Sequence, residues 1–138
     1  RRGLEAVAEP TGDLATSIRD YCQSLLAAMK APRDVRLGDV FAVSIAEGLL
    51  DGEIGPSALK YIIDPSVDVL KARLDTHVRR GEMIGTDTRA AALFLLSPLL
   101  VAILHQDHLG GRETSPVDLQ STFDSICAAF LRAYAAPA

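Results

Sequence analysis

Residues 90–104 read AAALFLLSPLLVAIL, fifteen positions at which only Ser97 is polar. A helix on the surface of a globular protein shows one apolar stripe and one polar face. This stretch has no polar face. The pattern therefore predicts a central helix covered on every side, by the other helices or in part by a second copy of the chain. Fifteen residues fall short of the roughly 20 that span a bilayer, and polar sequence (GEMIGTDTR, HQDHLGGRETS) flanks the stretch closely. Pro98 predicts a bend at its middle.

The other segments show ordinary one-sided helical periodicity. Leu14, Ile18, Tyr21, Cys22, Leu25, Leu26 and Met29 are spaced 4, 3, 1, 3, 1 and 3, which predicts a helix reaching about Ala31 with Thr11 or Asp13 at its N-cap. Leu119, Phe123, Ile126, Cys127, Phe130, Leu131 and Tyr134 repeat the same spacings. Ser115-Pro116-Val117-Asp118 reads as the start of that last helix, with Ser115 as cap. Ala128, Ala129 and Ala133 on it leave room for a close neighbour. A third helix is expected from Asp34 or Arg36 to about Leu50, weakened by Gly38 and Gly48. Residues 57–80 form the longest pattern, with Leu59, Ile62, Ile63, Val67, Leu70, Leu74 and Val78 on its stripe and a kink at Asp64-Pro65. Arg79-Arg80-Gly81 marks its end. Residues 1–9 read as the tail of a helix closed by Pro10-Thr11-Gly12, and 105–114 as a polar loop. The fold class expected is all-α, a single-domain bundle of about six helices whose last two form a four-helix interface in a dimer.

Composition sharpens this. Of 138 residues 49% are hydrophobic but only 5% aromatic, and the Ala/Leu bias favours helix over sheet. The net charge of −4 argues against direct nucleic-acid binding, which needs clustered Lys and Arg. Cys22 and Cys127 sit inside helical patterns and read as buried, reduced thiols. With no signal peptide or membrane span in view, the cytoplasm is the expected location. Phosphate-loop, zinc-protease and nucleophile-elbow motifs are absent from the sequence, which leaves a small helical enzyme the weakest reading. His105-Gln106-Asp107-His108 places two imidazoles on one helical face, yet a solvated helix end is the preferred reading. No metal and no cofactor are expected. His77 lies beside Val78 and is expected to be a partly exposed helix histidine, with a polar ligand anchor as the alternative. Cys22, Met29, Phe41, Tyr61, His77 and Phe94 are the candidate lining of a pocket between helices.

The segment DTHVRRGEMIGTDTRAAALFLLSPLL, residues 75–100, resembles the C-terminal domain of TetR-family transcriptional regulators. The features are a long helix ending in Arg79-Arg80, then Gly81-Glu82, Met83, an acid at Asp87, the small residues Ala90, Ala91 and Ala92, and the step Ser97-Pro98-Leu99. The terminal amphipathic helix after a polar loop fits the same family. The resemblance implies a homodimer that binds a small effector, here one of mostly apolar character. It also implies operator DNA read only through an N-terminal helix-turn-helix of roughly 50 residues. Nothing before Gly12 resembles such a reader, so the chain is expected to be the sensor and dimerisation half of a repressor. The expected dimer contacts are Leu99, Leu100, Ile103, Phe123, Ile126, Phe130 and Leu131. A ligand-free helical dimerisation or adaptor module is the competing reading.

Overall fold

A computed structural model describes residues 3–31 and 36–138. Among them the chain is all-α: α1 (Gly3–Val7), α2 (Leu14–Lys30), α3 (Leu37–Leu50), α4 (Gly55–Ala58), a π-turn (Leu59–Ile63), α5 (Asp64–Arg79), α6 (Thr88–Asp107), α7 (Gly111–Thr114) and α8 (Leu119–Tyr134). The expected start of the third helix at Asp34 lies outside the described residues. Arg36 stands at the N-cap of α3.

Helices α2, α5, α6 and α8 form the body of the bundle. α6 packs between α5 and α8, α2 packs on α8 and α3, and α1 lies against α5. Their buried stripes follow helical spacing: Leu14, Ile18, Tyr21 and Cys22 on α2, Val67, Leu70 and Leu74 on α5, Phe123, Cys127 and Phe130 on α8. Of the two proposed caps for α2, Asp13 is used. Its carboxylate accepts from the Thr16 amide at 2.9 Å, which holds the carboxyl below its ordinary pKa.

The long pattern over 57–80 is interrupted as Asp64-Pro65 predicts, through a π-turn just before the proline. Pro65 has no amide proton to continue the ladder. Ser66 Oγ donates to the Ile62 carbonyl at 2.9 Å, satisfying one acceptor near the break. The wider π-turn shifts the helical register. Ile62 and Ile63 still pack partly against the core, while Leu59 and Tyr61 are exposed. The far end of α5 closes as Gly81 predicts. Gly81 has φ +76°, its amide bonds Val78 O, and the Glu82 amide bonds His77 O, both at 3.0 Å. These are the two bonds of a Schellman cap.

Two boundaries differ from the sequence reading. α6, with Pro98 inside it, runs on to Asp107, into the expected loop, whose remainder includes α7. The last helix starts at Leu119, not at Pro116. The reason lies in Gln106, whose side-chain amide donates to Ser115 O at 3.1 Å and accepts from the Val117 amide at 3.2 Å. That pair of bonds holds residues 115–117 outside the helix. Gly38, read as a weakness in α3, is a contact point: a Cβ there would lie 3.0 Å from Met29 O. α3 itself buries only Gly38 and Phe41; the remaining apolar positions of its pattern are half-buried or exposed.

The start of α6 is fastened to α5 by polar bonds. Asp87 caps it through the Arg89 and Ala90 amides. Arg89 reaches Asp64 and Asp68 of α5, and Thr88 Oγ1 donates to Asp75 at 2.5 Å. Burial raises the pKa of Asp75, but the hydrogen bonds from Thr88 and Lys71 outweigh it and the net shift is downward from 3.8. A carboxyl depressed in the folded state stabilises above its unfolded pKa, and loses that contribution as pH falls through the folded one. Thr88→Val is thus expected to destabilise at neutral pH and to cost less near pH 3. Urea midpoints at the two pH values check this, and an equal loss at both would reject it. Phe123→Ala is expected to cost about 3–5 kcal/mol in the same assay, because Phe123 is wholly enclosed. A loss under about 1 kcal/mol would contradict that packing.

Candidate functional site

The six candidate pocket residues do not gather around one cavity. Cys22, Met29 and Phe41 are buried in the apolar core. His77 is also fully buried, correcting the expectation of a partly exposed side chain. It lies on the α5 stripe, three positions after Leu74 and seven after Leu70, so the period itself carried the signal. Its Nδ1 is 2.7 Å from Glu82 Oε1, just past the Schellman turn, and its Nε2 is buried without a partner. Tyr61 and Phe94 are 69% and 56% exposed. Tyr61 lies in the π-turn, and Phe94 lies on the outer side of α6.

Two clefts are open to solvent instead. One, about 390 Å³, lies between the start of α2 and the end of α8 and is lined by Asp13, Leu14, Ala15, Glu82, Leu131 and Ala135. Its floor is braced by the Met83–Ala135 bridge, in which the Ala136 amide donates to Glu82 O and the Ile84 amide to Tyr134 O, both at 2.9 Å. The other, about 250 Å³, is polar and includes Arg36, Asp39, Asp107, His108 and Arg112. It contains most of the His105–His108 motif, and the geometry disperses that motif. His105 Nδ1 accepts from Gln106 Nε2 at 2.7 Å, and His108 Nε2 faces Asp39 at 2.9 Å. Asp107 is held by Lys30 at 3.2 Å and by Arg112. No cluster of three metal-binding side chains occurs among the described residues.

The expected dimer contacts need a sharper division. Leu99, Ile103, Phe123 and Phe130 are enclosed in the chain's own core, so they cannot touch a partner. Leu100, Ile126 and Leu131 are half-buried against that core. The side of α6 left uncovered carries Ala90, Leu93, Phe94, Ser97 and Val101, all exposed, with Val101 at 61%. Phe94 stacks edge-on to Tyr134 of α8, ring centroids 6.0 Å apart. On α8 the small residues Ala128, Ala129 and Ala133 are also exposed. The helix that was expected to be covered on every side is thus covered on all but one. Extended to twenty residues, α6 is long and apolar enough to cross a membrane by length and composition alone. Eight of its residues are instead buried in the bundle.

Besides His77, four buried polar residues among those described escaped the sequence reading: Ser17, Arg73, Thr88 and Gln106. Ser17 and Arg73 lie on the core-facing stripes of α2 and α5 and bond each other. Their spacing matches the stripes, but their polarity masked it. Comparison of the chain with family profiles, with curated proteins and with solved structures found no match.

The two cysteines are free and buried, one on α2 and one on α8. Burial, reinforced by Cys127, pushes the Cys22 thiol up to about 12. At pH 8 the native protein is therefore expected to react with a thiol reagent at least ~100-fold more slowly than the urea-unfolded chain. Comparable rates in both states would show that the α2–α8 contact opens readily.

Proposed function

We propose that this chain is the dimerising, effector-responsive part of a TetR-type transcriptional repressor, with operator DNA bound by a helix-turn-helix domain N-terminal to α1. The observation that carries the reading is the exposed apolar side of α6, whose Phe94 lies against Tyr134 of α8. Helix pairs of this kind close a two-fold dimer when each copy supplies the same patch. The partner is a second copy of the chain. The effector is a small, mostly apolar molecule that would sit between the helices of the bundle. Binding acts by favouring one arrangement of the helices over another, which requires a difference in affinity between them.

A ligand-free dimerisation or adaptor module is the second reading. It is favoured by the packing of Cys22, Met29, Phe41 and His77 into the core, where the sequence reading had placed a pocket.

Light scattering on the eluted protein tests the shared element. The unmodified chain is expected to run as a dimer and Val101→Glu or Phe94→Glu as a folded monomer, because each change places a charge in a dehydrated contact. A monomeric unmodified chain, or a Val101→Glu dimer of undiminished stability, would reject the interface. The coding sequence upstream of Arg1 separates the two readings. A basic helix-turn-helix pattern there supports the repressor, and an unrelated domain supports the adaptor.

A further inference from the structure

Arg73 is 4% exposed, and every group it bonds is neutral. Its Nε donates to Ser17 Oγ at 2.8 Å. One terminal nitrogen donates to Val7 O at 3.0 Å. The other donates to Ser17 O at 2.9 Å and to Thr11 Oγ1 at 3.3 Å. Thr11 in turn donates to Asp20 at 2.7 Å, so the counter-charge reaches the guanidinium only through a hydroxyl. The Tyr21 ring lies beside it, 5.9 Å from its centroid.

A buried charge without a carboxylate partner is a poor source of stability, and an apolar side chain of similar volume often serves as well. What the guanidinium adds is direction, since its N–H groups point along fixed lines from a rigid plane. Here those lines run to the last carbonyl of α1, to α2 and to the elbow between them. Arg80, at the C-cap of α5, adds a further contact: it donates to Gly12 O at 3.0 Å, where Gly12 takes φ +93°. The described part of α1 is Gly3–Val7, and it packs against α5. Its orientation depends on what its end is fastened to.

We infer that Arg73 is a positioning residue that sets the angle at which α1 leaves the bundle, coupling α5 to whatever chain precedes α1. Apolar contact from Val7 keeps α1 near the core, and the guanidinium fixes its direction. That the preceding chain is a DNA-binding head rests on the repressor reading; the latch itself does not.

Spin labels at Glu5→Cys and Ser125→Cys, both exposed positions, report the angle as a distance distribution by pulsed electron resonance. The native thiols are buried and stay unlabelled. Arg73→Met is expected at least to double the width of that distribution, and Arg73→Lys, with one ammonium in place of the fork, to give an intermediate width. A control pair at Ala90→Cys and Ser125→Cys, between α6 and α8, is expected to stay narrow. An unchanged α1 width overturns the inference. So does equal broadening of the control pair, which would make Arg73 a general support of the fold. Should Arg73→Met not fold, Thr11→Val combined with Arg80→Gln decides in the same way: broadening of α1 supports the latch and an unchanged width overturns it. None of these outcomes depends on DNA binding, so a failed repressor reading would leave them intact.

Discussion

A helix with no polar face must be covered, and α6 is such a helix in a chain of 138 residues. Each large apolar side chain left in water forgoes roughly 1.5–3 kcal/mol of burial. α5 and α8 enclose two sides of α6, and Leu95, Leu96, Leu99 and Ile103 disappear into the core they form. The third side keeps Leu93, Phe94 and Val101 in solvent. The placement of the other helices follows from this demand. α2 closes α8 from behind, and the polar fastenings at Asp75, Thr88 and Arg89 hold the start of α6 in register with α5. The exposed remainder is the surface on which the proposed dimer rests.

The parts of this arrangement that rest on a regular period could be read from the sequence. The repeated spacings in α2 and α8 put Ile18, Cys22, Phe123 and Phe130 inside, and all four are inside. The fold class, the Asp13 cap and the Gly81 terminus were legible for the same reason: each is a local rule acting on a few residues. What failed was whatever depended on a partner distant in the chain. Tyr61 was read as pocket lining, and it lies exposed in the π-turn before Pro65. Ser115 was read as a helix cap, and Gln106, nine residues earlier, captured that segment instead. The expected dimer residues were chosen as the largest apolar side chains on α6 and α8, and four of the seven are enclosed in the chain's own core. Size and spacing cannot tell the side that meets its own chain from the side that meets another.

The candidate site was the least legible, for a related reason. A pocket consists of the gaps between elements, and a sequence specifies the elements. Cys22, Met29 and Phe41 are the kind of residue that lines a pocket and also the kind that fills one. Here they fill the core. His77 shows the opposite error. Polarity suggested exposure, while its period placed it inward, where Glu82 supplies a partner on one side of the ring.

The charges on α5 suggest how such a bundle transmits a change. The acids Asp64, Asp68 and Asp75 reach toward the start of α6. The arginines Arg73 and Arg80 reach toward α1 and the elbow after it. One helix therefore holds α6 with one set of side chains and the exit of the chain with another. A π-turn, a common site of local adjustment in helices, joins that helix to α4. A shift of α5 cannot then leave both ends undisturbed. The apolar core tolerates small sliding because its contacts have no direction. The guanidinium contacts are directional, so they convert sliding into a change of angle. A ligand that binds more tightly to one position of α5 would, by that route, alter the path of the chain beyond α1.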